Sequence, residues 1–113
     1  MKNVQAVLES ANDPLPPNSG EMLENAQRTT DFLKSLSHPA RLVILCRLAE
    51  GSASVGELED FLQLPQSAVS KQLARLREDG LVDCTRDGRS ITYSLLDEKA
   101  RVIISTLYQE FCA

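Results

Sequence analysis

The 113 residues carry 12 Lys and Arg against 16 Asp and Glu, a net charge of -4, with 42% hydrophobic and 4% aromatic residues. That length suits one domain with a modest core, and the sequence shows neither an apolar run of about 18 residues nor a basic-then-apolar leader, so a cytoplasmic protein without membrane span or signal peptide is expected. In such a reducing compartment the three thiols, Cys46, Cys84 and Cys112, are not expected to build a disulfide framework and point to packing, metal or redox chemistry.

The charge is uneven along the chain. Residues 64–92 hold five cations (Lys71, Arg75, Arg77, Arg86, Arg89) against four anions, so this stretch is net positive while the remainder is strongly acidic. Weak non-specific affinity for nucleic acid follows, with phosphate contacts confined to a few positions.

Residues 1–19 contain Pro14, Pro16 and Pro17 beside Asn, Asp and Ser, which opposes a continuous helix and reads as a flexible N-terminal arm. Residues 20–113 form the folded domain. Met22, Leu23, Ala26, Phe32, Leu33 and Leu36 follow helical spacing and predict a first amphipathic helix over 21–36. Its apolar residues fall on two sides, which fits a contact between two copies of the chain.

Ser37-His38-Pro39 reads as a helix start, with Ser37 or His38 as cap and Pro39 in the first turn, where its missing N–H costs nothing. The run ARLVILCRLAEG that follows predicts a central buried helix ending at Gly51, with Cys46 inside it. Ser54-Val55-Gly56-Glu57 has the form of a capping box, so a short helix starts there and continues to about residue 63.

Residues 66–81, QSAVSKQLARLREDGL, predict a helix with two incompatible faces. Val69, Leu73 and Leu76 make one apolar stripe, while Ser67, Ser70, Lys71 and Ala74 occupy the opposite side. The second face suits either water or a flat anionic partner. Gly80 fits a left-handed C-terminal cap. The alternating segment LVDCTRDGRSITYSLL then predicts a two-stranded hairpin with Asp87-Gly88 at its tip and Arg86 and Arg89 flanking the turn, placed for phosphate or minor-groove contact or simply for solvent. Asp97 caps a last helix whose Ala100, Ile103, Ile104, Leu107, Tyr108 and Phe111 form an apolar face too broad to leave bare.

Five main helices and one hairpin make a mainly α fold. Their order is that of a winged helix-turn-helix, and LSHPARLVIL, SAVSKQLARLREDGLV and RDGRSITYSLLD closely resemble the ArsR/SmtB family of dimeric bacterial repressors. The resemblance spans roughly residues 20–113. It implies a homodimer through the first and last helices, double-stranded operator DNA as partner, and two recognition helices reading successive major grooves. Carried over by position, Gln66, Ser67, Ser70, Lys71 and Gln72 approach bases or phosphates, and Arg86 and Arg89 are wing contacts. Gln72 has the geometry to read adenine bidentately, whereas Ser67 and Ser70 suit phosphates. Pro65 departs from the usual polar cap before this helix.

Family members differ in what releases them from DNA. One known site is a Cys-x-Cys pair on the short helix, but here that helix reads VGELEDFL. Another uses Asp and His on the last helix, and the one histidine of the chain is His38, a helix-start residue. No metal and no cofactor is therefore expected. The remaining thiols, Cys46 in VILCRLAEG and Cys112 in LYQEFC, resemble the SqrR/BigR branch, whose paired cysteines sense persulfides and related oxidants. The resemblance implies release when reactive sulfur species bridge the pair as a disulfide or polysulfide. A disulfide needs Cα atoms about 4.4 to 6.8 Å apart, and each inserted sulfur extends that reach by up to roughly 2 Å.

Other readings stay open at this level. Cys46 also suits a small core hydrophobe and Cys112 a frayed end, leaving a repressor with another inducer or a general oxidant sensor. The acidic total also admits a winged helix that binds protein rather than DNA. An enzyme is not expected, because no histidine or cationic cradle beyond Arg47 activates either thiol, and Cys84 has no evident partner.

Overall fold

The structure, a computed structural model, describes residues 19–112. The arm expected over 1–19 thus lies outside the described residues except for Ser19, which already belongs to the first helix, α1 (Ser19–Leu36). The chain divides into two compact units, Met1–Lys34 and Ser35–Ala113.

The first unit holds most of α1. Its polar side is laced by one-turn side-chain pairs: Gln27 donates to Asp31 at 3.0 Å and Arg28 to Asn25 at 3.0 Å. Leu33 points outward and is 52% exposed.

The second unit begins with a proline-started helix, α2 (Pro39–Glu50). His38 is its cap: the backbone is extended there, and the ring Nδ1 accepts the Ala40 N–H at 3.2 Å. Ile44, Leu45 and Leu48 are fully buried, whereas Val43 is 38% exposed. The expected central buried helix therefore has a broad buried face and an uncovered edge.

The capping box forms as the sequence predicts. Ser54 Oγ accepts from the Glu57 amide at 3.1 Å, and Glu57 accepts from the Ser54 amide at 3.2 Å, opening α3 (Val55–Leu62). Gln63 in left-handed geometry ends it, and α4 (Gln66–Glu78) follows after a three-residue turn. Gly80, at φ +78, makes the left-handed step out of α4 that a side chain would resist.

Ala53 and Ser54 form a two-residue strand, β1 (Ala53–Ser54), that the sequence does not announce, because two residues show no period. It pairs antiparallel with β3 (Ser90–Leu95), which also pairs with β2 (Val82–Asp87), giving the order β1-β3-β2. The expected hairpin is thus the outer part of a three-stranded sheet. Asp87 pairs with Ser90, so Gly88 and Arg89 are the two central turn residues. With Gly88 at φ +63 in the first central position, the turn suits the right-handed twist of the strands. Arg89 sits in the turn itself rather than beside it.

The last helix, α5 (Glu98–Phe111), is capped by Asp97, whose carboxylate accepts the Lys99 amide at 2.9 Å. Ala100 and Ile104 are its buried residues and pack the helix against α2. Arg101 reinforces that contact by donating to the Leu48 and Ala49 carbonyls at the C-terminal end of α2, where a cation also meets the negative end of the helix dipole. No helix among the described residues is long and apolar enough to cross a membrane.

The core is leucine-rich, and each fully buried large aliphatic side chain contributes about 1.5–3 kcal/mol. Leu73→Ala is expected to cost about 2–5 kcal/mol through the cavity it leaves, against about 1 kcal/mol for Ser54→Ala through loss of the cap. Urea denaturation at fixed protein concentration checks both, and equal losses would contradict this placement of the core.

Candidate functional site

Burial organises α4. Val69, Leu73 and Leu76 have no exposed surface, so helical geometry turns Gln66, Ser67, Ser70 and Lys71 outward, and all four are exposed. Gln72 is half-buried, beside the buried stripe rather than opposite it. Pro65 supplies no side-chain cap; its carbonyl accepts from Ala68 at 3.0 Å and Val69 at 3.2 Å. The Gln66 and Ser67 amides therefore face outward without an acceptor among the described residues, at the positive end of the helix dipole.

Internal pairing sorts the cations of this region. Arg75 pairs with Asp79 and Arg77 with Asp83, each at 3.4 Å. Lys71, Arg86 and Arg89 form no ion pair with any described residue and are exposed. The net positive stretch thus leaves three charges uncommitted, one on α4 and two at the hairpin tip.

Asp79 is a positioning residue that the sequence reading passed over. It stands at the C-terminal end of α4, where the helix dipole disfavours an anion. Ser35 Oγ donates to it at 2.7 Å and Arg75 pairs with it, while Arg41 Nε donates to the Ser35 carbonyl at 2.9 Å. These bonds tie the end of α4 to the segment leading into α2. The signal was an acid placed where a helix end opposes one.

The thiols lie in two places. Cys84 is half-buried on β2, directly across from Tyr93, so its cross-strand neighbour is one that the sequence could not name. Burial pushes the Tyr93 phenol up from its ordinary value, and Cys84 adds to the rise. Cys46 is half-buried on α2, and Cys112 is exposed at the C-cap of α5, its N–H bonded to the Tyr108 carbonyl at 2.8 Å. Burial raises the Cys46 thiol above its ordinary value, and the neighbouring Cys112 and Glu50 raise it further. The packing of α5 on α2 therefore sets Cys112, 66 positions away in the sequence, near enough to influence the Cys46 thiol. Between these helices lies a cleft of about 180 Å³ that Cys46 and Glu50 line from α2 and Ile104, Ser105, Tyr108 and Gln109 from α5.

Among the described residues, no group of three or more His, Cys, Asp or Glu is arranged to hold a metal ion. The Nδ1 of His38 is engaged in capping.

Comparison with known proteins places this arrangement. Residues 38–83, from the α2 cap to the start of the hairpin, match the bacterial regulatory protein, arsR family. The chain is similar to the Biofilm growth-associated repressor of Agrobacterium fabrum, 46% identical over 88% of this chain and 82% of the relative. Its fold is similar to the crystal structure of the transcriptional repressor BigR from Xylella fastidiosa (TM-score 0.78, 42% identity, 84% of this chain and 97% of that one). Reduced HlyU from Vibrio cholerae is equally similar in shape (TM-score 0.79, 38% identity, 82% of this chain and 98% of that one). A winged helix-turn-helix with this sequence likeness to whole regulators is a DNA-binding transcriptional regulator, and the chain belongs to the arsR family of bacterial regulatory proteins.

Proposed function

We propose that the protein is a homodimeric repressor that binds operator DNA when reduced and is released when Cys46 and Cys112 are bridged by reactive sulfur. The observation that carries the DNA half is the outward face of α4, where Gln66, Ser67, Ser70 and Lys71 have no competing role in the core. Phosphates would meet Lys71, the two free N-terminal amides and the serine hydroxyls, with Arg86 and Arg89 reaching the neighbouring backbone or minor groove. Gln72, half-buried, would reach a base only from the edge of this face.

The homodimer is supported by what α5 leaves uncovered. Val102 (58%), Ile103 (43%) and Phe111 (82%) are exposed on a helix whose other side already packs in the core. A second copy of α5 is the natural cover, and the exposed Leu33 of α1 offers a further apolar side chain for contact between two copies. Residues 20–113 would then serve as both DNA-binding and dimerisation domain.

Release rests on the reach between Cys112 and Cys46. One thiolate attacks the outer sulfur of a persulfide RSSH, the S–S bond breaks, and the thiol RSH leaves, so a cysteine perthiol remains. The thiolate of the other cysteine then displaces hydrosulfide and closes a disulfide. If both cysteines carry a perthiol, attack of one on the other expels hydrosulfide and leaves a trisulfide. Since α5 would carry both the bridge and the dimer contact, tying it to α2 would change the separation of the two α4 helices from that of successive major grooves. A coupling of about 1–3 kcal/mol suffices to shift occupancy.

Lys71→Ala and Arg89→Ala are each expected to weaken operator binding and to lower the slope of log affinity against log salt by about 1; unchanged titrations would remove these residues from the interface. Val102→Asp is expected to yield a monomer in sedimentation and, with it, loss of tight operator binding. Cys46→Ser and Cys112→Ser should each bind DNA but resist release by an organic persulfide, with intact mass showing no bridge. The same resistance from Cys84→Ser would show that the wrong pair has been chosen.

A further inference from the structure

The cleft between α2 and α5 says more about the sulfur donor than the thiols do. At about 180 Å³ it is smaller than the roughly 300–1,000 Å³ of ordinary small-molecule sites. Ile104 and the Tyr108 ring give it an apolar wall, Ser105 and Gln109 a neutral polar one, and Glu50 is its one formally charged lining residue. Glu50 lies one helical turn beyond Cys46 on α2, is exposed, and has no ion-pair partner among the described residues. The nearby arginines are already engaged: Arg47 with Glu57 and the Gly51 carbonyl, Arg101 with Glu98 and the end of α2. A carboxylate with no ion-pair partner among the described residues therefore lines the same small site as the thiol.

We propose that this cleft receives the sulfur donor and that Glu50 selects it by charge, admitting small donors that are cationic or neutral and turning away those that carry a carboxylate. This rests on the reading of Cys46 as a reacting thiol and adds what it reacts with. Glu50 is a specificity residue here: it takes no proton and forms no bond in the step. Its charge also holds down the thiolate fraction of Cys46, which slows every donor alike. The ratio between two donors, each first divided by its rate with a small neutral thiol such as N-acetylcysteine amide because the leaving thiols differ in pKa, therefore isolates selection from reactivity.

The test uses the full chain with Cys84→Ser and Cys112→Ser, so that Cys46 is the one thiol, and three stable disulfide probes of similar size: cystamine, 3,3′-dithiodipropionate and bis(2-hydroxyethyl) disulfide. In each case the Cys46 thiolate attacks one sulfur, the probe's S–S bond breaks, half the probe remains as a mixed disulfide, and the other half leaves as thiolate. Adduct formation is followed by intact mass.

After that normalisation cystamine is expected to react about five- to tenfold faster than the dicarboxylate, with the neutral probe between them, and the ratio should fall as salt is raised. Glu50→Gln should bring the ratio to within about twofold of unity, since the local charge is gone. Glu110→Gln makes the same change in net charge at a position outside the cleft lining and should leave the ratio as it was. A ratio near one in the starting protein, or an equal effect of the two glutamate variants, would overturn the charge gate while leaving Cys46 a competent sensor thiol. No adduct from any probe, with none from an organic persulfide either, would overturn both the gate and the sensor reading.

Discussion

Everything in the second unit depends on the burial of one narrow stripe. Val69, Leu73 and Leu76 lose all contact with water, and a helix that buries one side at that spacing has no freedom over what it shows on the other. The polar face of α4 is therefore a consequence of core packing. Leu58 of α3 and the first hairpin residues, Leu81 and Val82, are buried in the same core, so the helix-turn-helix and the wing share one support. The short strand β1 extends that support by pairing with β3 directly beside the capping box of α3.

Electrostatics then divides the cations into two groups. Arg75 pairs with Asp79 at the C-cap of α4 and Arg77 with Asp83 on β2. Lys71, Arg86 and Arg89 are exposed with no ion pair among the described residues, which is how a chain of net charge -4 keeps a cationic footprint. Exposed pairs of this kind contribute little stability, about 0–1 kcal/mol each. Their effect here lies in which charges they leave over.

The α2–α5 contact is the second place where structure and chemistry meet. Ile104 and Ala100 seal it, and Arg101 holds the last carbonyls of α2, so Cys46 lines a contact whose geometry is fixed by packing and by hydrogen bonds. In the proposed mechanism the same helix carries the bridge on one face and the second subunit on another. A covalent change a few ångströms long would then become a change between subunits, because packed helices shift as rigid bodies rather than deform.

Local patterns made much of this legible from sequence alone. The capping box at Ser54 and Glu57, the proline start at Pro39, the two faces of α4, the left-handed exit at Gly80 and the hairpin around Gly88 all depend on residues within a few positions of each other, and such rules act before any tertiary contact forms. The exposed residues of α4 followed from the same periodicity, and the family from the motifs these elements carry. Only the tertiary structure decided what depends on partners far along the chain. It added β1, because two residues have no period of their own; it gave Asp79 to Ser35, 44 positions away, and Cys84 to Tyr93; it uncovered Val43 and half-buried Gln72. It also set Cys112 near enough to influence the Cys46 thiol and lined one cleft with Cys46 and Glu50, which no spacing rule contains, because the distance between two helices is set by the side chains packed between them.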